Sequence, residues 1–297
     1  MIKKELRVVS FSGGKDSTAL LLSMLESGMP VDIILYNDTG LEFPEMEDHI
    51  DKVEQYIKRY TDIGITRIKP EHPFEFYFYD VPIHHRKQTD FNKRLGMDSH
   101  NGFSWPGPKM RWCTDRLKTR PRTKFLREYR NEYNIIEYVG IAADEEYRLR
   151  RKINKRENMR YPLVEWGMTE ADCLKYCYDR GFDWDGLYEK FSRVSCWCCP
   201  LQSLPELRVL YHDFPDLWQK LKEMDDLTYG QFRIDYSVSD LEKRFDLEDE
   251  WRAAGREPKG KAFFNELRER LEDIRKETAD MYQRSLRDHP ISCVNLQ

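Results

Sequence analysis

The residues with the clearest chemical potential form one string near the amino terminus, Ser10-Phe11-Ser12-Gly13-Gly14-Lys15-Asp16-Ser17. An apolar run from Leu6 to Phe11 reads as a strand leading into it, and Asp16 to Ser27 reads as a helix leaving it. Glycines let a backbone turn tightly and direct several N–H groups at one anion. The amino end of the following helix adds positive potential. Lys15 supplies a mobile cation, Ser12 and Ser17 supply hydroxyls, and Asp16 is a candidate ligand for Mg²⁺ bridging phosphates. The upstream glycine of a Walker A loop is missing, so the expected site is a phosphate cradle of another type.

A second set of reactive residues lies far downstream. Seven cysteines occur: Cys113, Cys173, Cys177, Cys196, Cys198, Cys199 and Cys293. Cys196 and Cys199 make a C-x-x-C pair with Cys198 between them. Thiolates are soft ligands suited to iron–sulfur clusters or zinc. Metal-free cysteines, one of them a redox nucleophile, are the third reading. Cys173 and Cys177 stand four apart in a helical pattern, the spacing of buried hydrophobes. Cys293 lies in the tail and reads as incidental. The His84-His85 pair reads as an anion or solvent contact rather than a metal site.

Charge is uneven. The 297-residue chain carries a formal net charge of -4, yet residues 84–130 and 148–160 are rich in Lys and Arg. Such stretches are either solvated faces or a polyanion site. With Trp105, Trp112, Tyr129 and Tyr147 among them, they fit a tRNA or DNA acceptor.

Positioning these residues requires a scaffold, and the strand and helix patterns alternate. Val31 to Tyr36, Thr66 to Ile68 and Ile135 to Ala142 read as further strands. Pro44, with Glu45 and Glu47, opens a helix, and Thr169 caps another that runs to Arg180. This predicts an α/β fold, a Rossmann-like parallel sheet with helices on both faces. Residues 70–112 show little periodicity and read as an irregular insertion. Thr114 to Tyr133 reads as partly helical, limited by Pro121. Beyond Pro200 the pattern turns helical, at Ser203–Leu227, Ser237–Arg252 and Phe263–Leu286. The expected domains are therefore 1–202, carrying the loop and the cysteines, and 203–297, a helical C-terminal region. Leu267, Leu271, Ile274 and Met281 form a stripe that packs on its own domain or forms a homodimer seam. No run approaches the length of a membrane span, and Met1 to Leu6 lack a signal-peptide core. A cytoplasmic protein with reduced cysteines is expected.

Three segments carry a family resemblance. SGGKDS resembles the PP-loop of the adenine nucleotide α-hydrolase superfamily, which includes ATP pyrophosphatases, tRNA sulfurtransferases and the reductases of adenosine phosphosulfate (APS) and phosphoadenosine phosphosulfate (PAPS). Asn37-Asp38-Thr39-Gly40-Leu41-Glu42-Phe43-Pro44-Glu45 is similar to the DTG-x-x-FPE signature of the PAPS reductase branch. Gly140-Ile141-Ala142-Ala143-Asp144-Glu145-Glu146-Tyr147-Arg148 is similar to that branch's G-[IT]-R-x-x-E-x-x-R segment, with Ala142 in place of the basic residue.

The resemblance covers roughly residues 6–200. It implies adenine-nucleotide binding (ATP, or APS/PAPS) with Mg²⁺, and chemistry at the α-phosphate. Carried over by position, the nucleotide contacts are Ser12, Gly13, Gly14, Lys15, Asp16, Ser17, Asp38, Thr39, Gly40, Asp144, Glu145 and Arg148. Lys15, Asp16 and Asp38 take the catalytic roles, with Asp38 as a second carboxylate for the Mg²⁺ at Asp16. The cysteines resemble the [4Fe–4S] layout of APS reductases, with Trp112 where a first cysteine would stand. That assigns Cys113, Cys196 and Cys199 as ligands and Cys198 as candidate fourth, with zinc the alternative metal.

The C-terminal Glu-Cys-Gly-[IL]-His motif of the reductases is missing. This favours the superfamily's other chemistry: adenylation of an acceptor with loss of pyrophosphate, then sulfur insertion fed by a sulfur-donor protein. A reductase with a different attacking thiol is one alternative. A non-catalytic nucleotide- or nucleic-acid-binding component of a DNA-modification or defence assembly is the other.

Overall fold

A computed structural model describes residues 3–84, 99–150 and 157–272. Five parallel strands form the sheet in the order β3-β2-β1-β6-β7: β1 (Lys4–Phe11), β2 (Ile33–Asn37), β3 (Ile65–Ile68), β6 (Tyr133–Val139) and β7 (Met159–Arg160). The central strand, β1, pairs Val8 with Ile33 on one side and with Glu137 on the other. Val8 and Val9 are both fully buried. Burial on both faces explains why Val8 and Val9 can stand side by side in β1 rather than alternate with polar residues. The one charged residue buried in β6, Glu137, is paired with Arg122.

Helix α1 (Lys15–Glu26) follows β1, and its Leu20, Leu21 and Leu22 are fully buried. Helix α2 (Pro44–Ile57) has Pro44 in its first turn, where a missing N–H costs nothing, and Glu45 and Glu47 beside the positive helix end.

The insertion expected to be irregular is built on stacked aromatics. A π-helical turn (Phe76–Asp80) leads into a small hairpin of β4 (Pro82–His84) and β5 (Ser99–Asn101). Trp112 stacks on Phe74 and Phe103, with centroids 5.2 and 5.4 Å away, and donates its indole N–H to the Ser104 carbonyl at 3.0 Å. The position matching a missing cysteine is thus a packing residue. The His84-His85 side chains fall outside the described residues. A π-helix (Thr114–Thr119) then runs directly into α3 (Arg120–Arg127), with Pro121 in the first turn of α3. The stretch expected to be partly helical is thus helical as far as Arg127, and Pro121 does not limit it.

Short helix α4 (Pro162–Glu165) precedes α5 (Glu170–Tyr178). Thr169 and Asp172 form a reciprocal capping box at the start of α5, as the sequence predicts for Thr169. Tyr176 in α5 and Arg180 just after it both bind Glu26 at the end of α1. Helices α6 (Leu187–Lys190) and α7 (Leu204–Asp213) follow.

The chain divides into two compact units, 1–209 and 210–297. The boundary expected at 202/203 falls ahead of this, just before α7. The second unit contains α8 (Pro215–Asp226), α9 (Val238–Ala253) and a helical stretch at 260–272. Leu247, Trp251, Phe263 and Leu267 form a core there, with Leu271 packed against it. This part of the predicted stripe packs within its own unit; Ile274, Met281 and Cys293 lie outside the described residues. Among the described residues, no helix is long and apolar enough to cross a membrane.

Candidate nucleotide and cysteine site

The loop between β1 and α1 is held from several directions. Gly13 has φ +78°, and a Cβ there would lie 2.6 Å from the Met46 sulfur, so both conformation and space call for glycine. The Ser17 hydroxyl accepts from the Ser12 N–H at 3.1 Å and donates to the Gly14 carbonyl at 3.0 Å. Gly140, at the end of β6, is a second point of close approach. A Cβ there would sit 2.9 Å from the Asp16 carbonyl and the Ser17 nitrogen. The strand end therefore lies against the first turn of α1.

Two aromatic residues from a distant segment clamp this loop. The Trp184 indole N–H donates to the Gly13 carbonyl at 2.8 Å. The Lys15 backbone N–H donates to the Tyr188 hydroxyl at 2.8 Å. Three consecutive residues, Trp184, Asp185 and Gly186, have positive φ (52°, 49° and 83°). For the two non-glycines this costs on the order of 1–3 kcal/mol each, strain that the surrounding contacts must offset. Behind the clamp, His49 stacks on Trp184 at 4.2 Å and bonds Thr18 at 3.1 Å. Burial pushes its imidazole down to about 3, so it is neutral near pH 7.

Charged groups gather at the mouth of the loop. The Lys15 ammonium is buried, 2.5 Å from Glu170 and 3.2 Å from Asp16. Burial pulls its pKa down, but the Glu170 hydrogen bond and the Asp16 charge outweigh this and hold it above its ordinary value. Burial raises the Asp16 pKa, against the pull of Lys15. Carboxylate oxygens of Asp16, Glu145 and Glu170 lie within 4.8 Å of one another. This is an oxygen-only set of the kind Mg²⁺ takes. Arg148 pairs with Glu145.

Not every expected residue joins this group. Asp38, read as the second carboxylate beside Asp16, instead accepts from the Gly40 N–H at 3.1 Å and pairs with Lys69 at 3.3 Å. Glu170 and Glu145 are the carboxylates found beside Asp16. Asp144 accepts from the Glu170 N–H at 3.0 Å and so supports the start of α5. The Thr39 hydroxyl donates to Glu42 at 2.7 Å.

A cleft of about 640 Å³ joins the two motif regions. Ser12, Gly14, Lys15, Asp16, Ser17, Thr39, Glu145 and Arg148 line it, and so do Cys113, Cys196, Cys198 and Cys199. Cys113 directly precedes the π-helix. Cys196 to Cys199 form a turn closed by Cys199 N–H to Cys196 carbonyl at 3.1 Å. Trp197 N–H bonds the Leu41 carbonyl at 3.1 Å, tying this turn to the segment after β2. The Gln202 amide holds the Cys196 and Trp197 carbonyls at 2.9 and 3.1 Å.

Burial pushes the Cys196 thiol up to about 12, and raises Cys198 and Cys199 as well. Lys118 faces them and is held above its ordinary value, by Cys196 first and then by Glu42 and Cys113. No three cysteine sulfurs among the described residues lie within 4.8 Å of one another. One tetrahedral zinc, with bonds near 2.3 Å, needs sulfurs about 3.8 Å apart. Four thiols lining one cleft are a donor set of the kind that iron–sulfur clusters and zinc take. Cys173 and Cys177 lie buried in α5, away from this cleft lining, with Cys177 Sγ 3.6 Å from the Lys15 carbonyl.

Sequence reading missed Glu170, Trp184 and Tyr188. Each comes from a segment with no motif of its own, and only the capping pattern at Thr169 hinted that a helix start would lie near.

A parallel sheet with a glycine-rich anion loop at the carboxyl end of its central strand defines a Rossmann-like nucleotide-binding protein. More particularly, residues 7–202 match the phosphoadenosine phosphosulfate reductase domain, and the chain belongs to that family. Curated relatives include the uncharacterised proteins MJ0066 and MJ0973 of Methanocaldococcus jannaschii. They are 29% and 27% identical over 74% and 71% of this chain, and over 41% and 45% of their own lengths. The nin region protein ORF290 of Escherichia phage lambda, also uncharacterised, is 30% identical over 60% of this chain and 61% of its own length. The chain thus spans less than two thirds of each of these relatives.

Proposed function

We propose that this chain binds ATP in the cleft, adenylates an acceptor with release of pyrophosphate, and supports sulfur insertion at the activated position. The observation that carries the reading is the opening of the phosphate loop and the cysteine turn into one cleft. In this scheme the acceptor oxygen attacks the α-phosphorus. The bond from that phosphorus to the bridging oxygen breaks, and its electron pair leaves with pyrophosphate. A sulfur nucleophile, fed by a sulfur-donor protein, then displaces AMP from the acceptor.

Lys15 and the first turn of α1 hold the leaving phosphates, where their charge is best placed for a developing anion. Asp16, Glu145 and Glu170 would hold Mg²⁺, which supplies charge to the same phosphates. Cys113, Cys196 and Cys199 would hold a [4Fe–4S] cluster, with Cys198 the candidate fourth ligand. Such a cluster supplies a landing place for sulfide next to the activated acceptor. Lys118 and Arg111, both in the cleft lining, balance the charge of deprotonated thiols.

The test is parallel calorimetric titration of anaerobically purified protein with Mg-ATP, APS and PAPS. A preference for Mg-ATP of tenfold or more (about 1.4 kcal/mol) is expected. The reductase reading draws its support from the family match, and an equal preference for APS or PAPS would replace the first reading by it.

A further inference from the structure

A second cavity, about 790 Å³, lies on the other side of the π-helix from the cysteines. Cys113, Thr114, Leu117 and Lys118 line the first cleft, while Asp115, Arg116, Thr119 and Arg120 line the second. One helix is therefore the wall between them. A helix with its side chains is about 10–12 Å across.

Five cations line this second groove: Lys69, Arg116, Arg120, Lys124 and Arg127. Three acids share it, Glu71, Asp115 and Glu128. Asp115 is engaged by Arg120 at 2.8 Å and Arg116 at 3.8 Å. Arg116, Arg120 and Lys124 follow one another at four-residue intervals, with Arg127 three further on. Leu126 is buried and Arg122 pairs inward with Glu137, while Arg120, Lys124 and Arg127 are exposed. Like charges at four-residue spacing destabilise a helix by a few tenths of a kcal/mol per pair. The negative end of the helix dipole accounts for cations in the last turn, Lys124 and Arg127. Arg116 and Arg120 share the single carboxylate of Asp115, and Lys69, just past the end of β3, pairs with Asp38. In a chain of net charge -4, this concentration along one groove is selective.

We propose that this groove binds the phosphodiester backbone of a nucleic-acid strand and holds it alongside the cysteine cleft, across the helix wall. The inference rests on the reading above, since it names that acceptor as a nucleic acid. A row of side chains on one helix face suits a ligand with charge repeating along its length better than a single phosphate. Tyr77 and Phe125, also in the lining, offer apolar surface beside it.

The test is binding of fluorescent DNA and RNA oligonucleotides, single- and double-stranded, to the full chain across a salt series. Native protein should show a linear fall of log K with log salt. Each phosphate contact contributes about 0.9 to that slope for duplex and about 0.7 for a single strand. The double variant Lys124→Glu/Arg127→Glu alters only exposed side chains. It should melt as the native protein does, bind at least tenfold more weakly and lose about 1.4–1.8 from the slope. The milder pair Lys124→Gln/Arg127→Gln should lose less affinity but the same slope. The tighter of the DNA and RNA arms identifies the source of the strand. Unchanged affinity and slope in both variants would overturn the proposal. So would absence of native binding to every oligonucleotide, or equal binding of a polyglutamate peptide. Titration of native protein with Mg-ATP separates the two readings: failure there removes the nucleotide reading and leaves the groove to stand on its salt slope.

Discussion

The two halves of the cleft are prepared to different degrees. On the loop side, the Gly13 carbonyl, the Lys15 amide, the Lys15 ammonium and the Ser17 hydroxyl all have partners at hydrogen-bond distance before any ligand arrives. On the cysteine side, buried thiols are held protonated near neutral pH, and among the described residues no three sulfurs lie within 4.8 Å of one another. A nucleotide meets a finished surface on one side. Across the cleft, a metal group would supply the deprotonation and much of the geometry itself. The difference follows from chemistry: backbone amides and hydroxyls can satisfy one another, whereas thiols bond weakly to each other.

Tyr188→Phe gives the sharpest break of this comparison. It keeps the ring against Trp184 and removes the hydroxyl that accepts from the Lys15 amide. With that hydroxyl donating a hydrogen bond to a bound phosphate, its removal costs about 1.5–3 kcal/mol. Calorimetry with Mg-ATP should then show affinity falling ten- to hundredfold. An unchanged Kd would mean the loop side is less finished than its hydrogen bonds imply.

Glu26 tests the frame that brings α5 to the loop. Arg180, Tyr176 and Tyr56 hold its carboxyl down to about 2, with the Arg180 hydrogen bond the largest cause. A depressed acid stabilises the fold above its unfolded pKa of 4.5 and ceases to do so as pH falls through about 2. Glu26→Gln should therefore cost about 1–2 kcal/mol at pH 7, after allowance for solvent screening. In denaturant titrations the deficit should shrink between pH 4.5 and 2; a deficit that does not vary with pH would count against the ion pair.

The smallest effect is expected where the comparison predicts independence. Cys196→Ser should abolish visible absorbance from a reconstituted cluster yet change Mg-ATP affinity by less than about threefold. A larger change would show that the two sides are organised together.

The sheet and the loop were legible because their signals are local. Leu6 to Phe11 is mostly apolar, and the glycines follow it after one serine. The 70–112 insertion was not legible, because three-residue strands and a single π-helical turn are too short to show a period. Asp38, just after β2, was assigned to the metal through the resemblance of its segment to the family signature. The sequence could not reveal that the Gly40 amide and Lys69 engage its carboxylate. Glu170, Trp184 and Tyr188 reach the loop from more than 150 residues away. No local pattern encodes an approach of that kind.

The Trp184–Tyr188 clamp also sets an order of assembly. Its two bonds span 171 and 173 residues of sequence. Contacts so distant cannot form until the intervening chain has closed, and topology of this kind slows folding. On a ribosome, β1, the glycine loop and α1 emerge well before the segment that clamps them and wait for the rest of the sheet to follow. A fragment ending before Trp184 would contain every residue of the loop string and still lack the clamp. The loop string and the residues that complete it are thus separated by most of the domain.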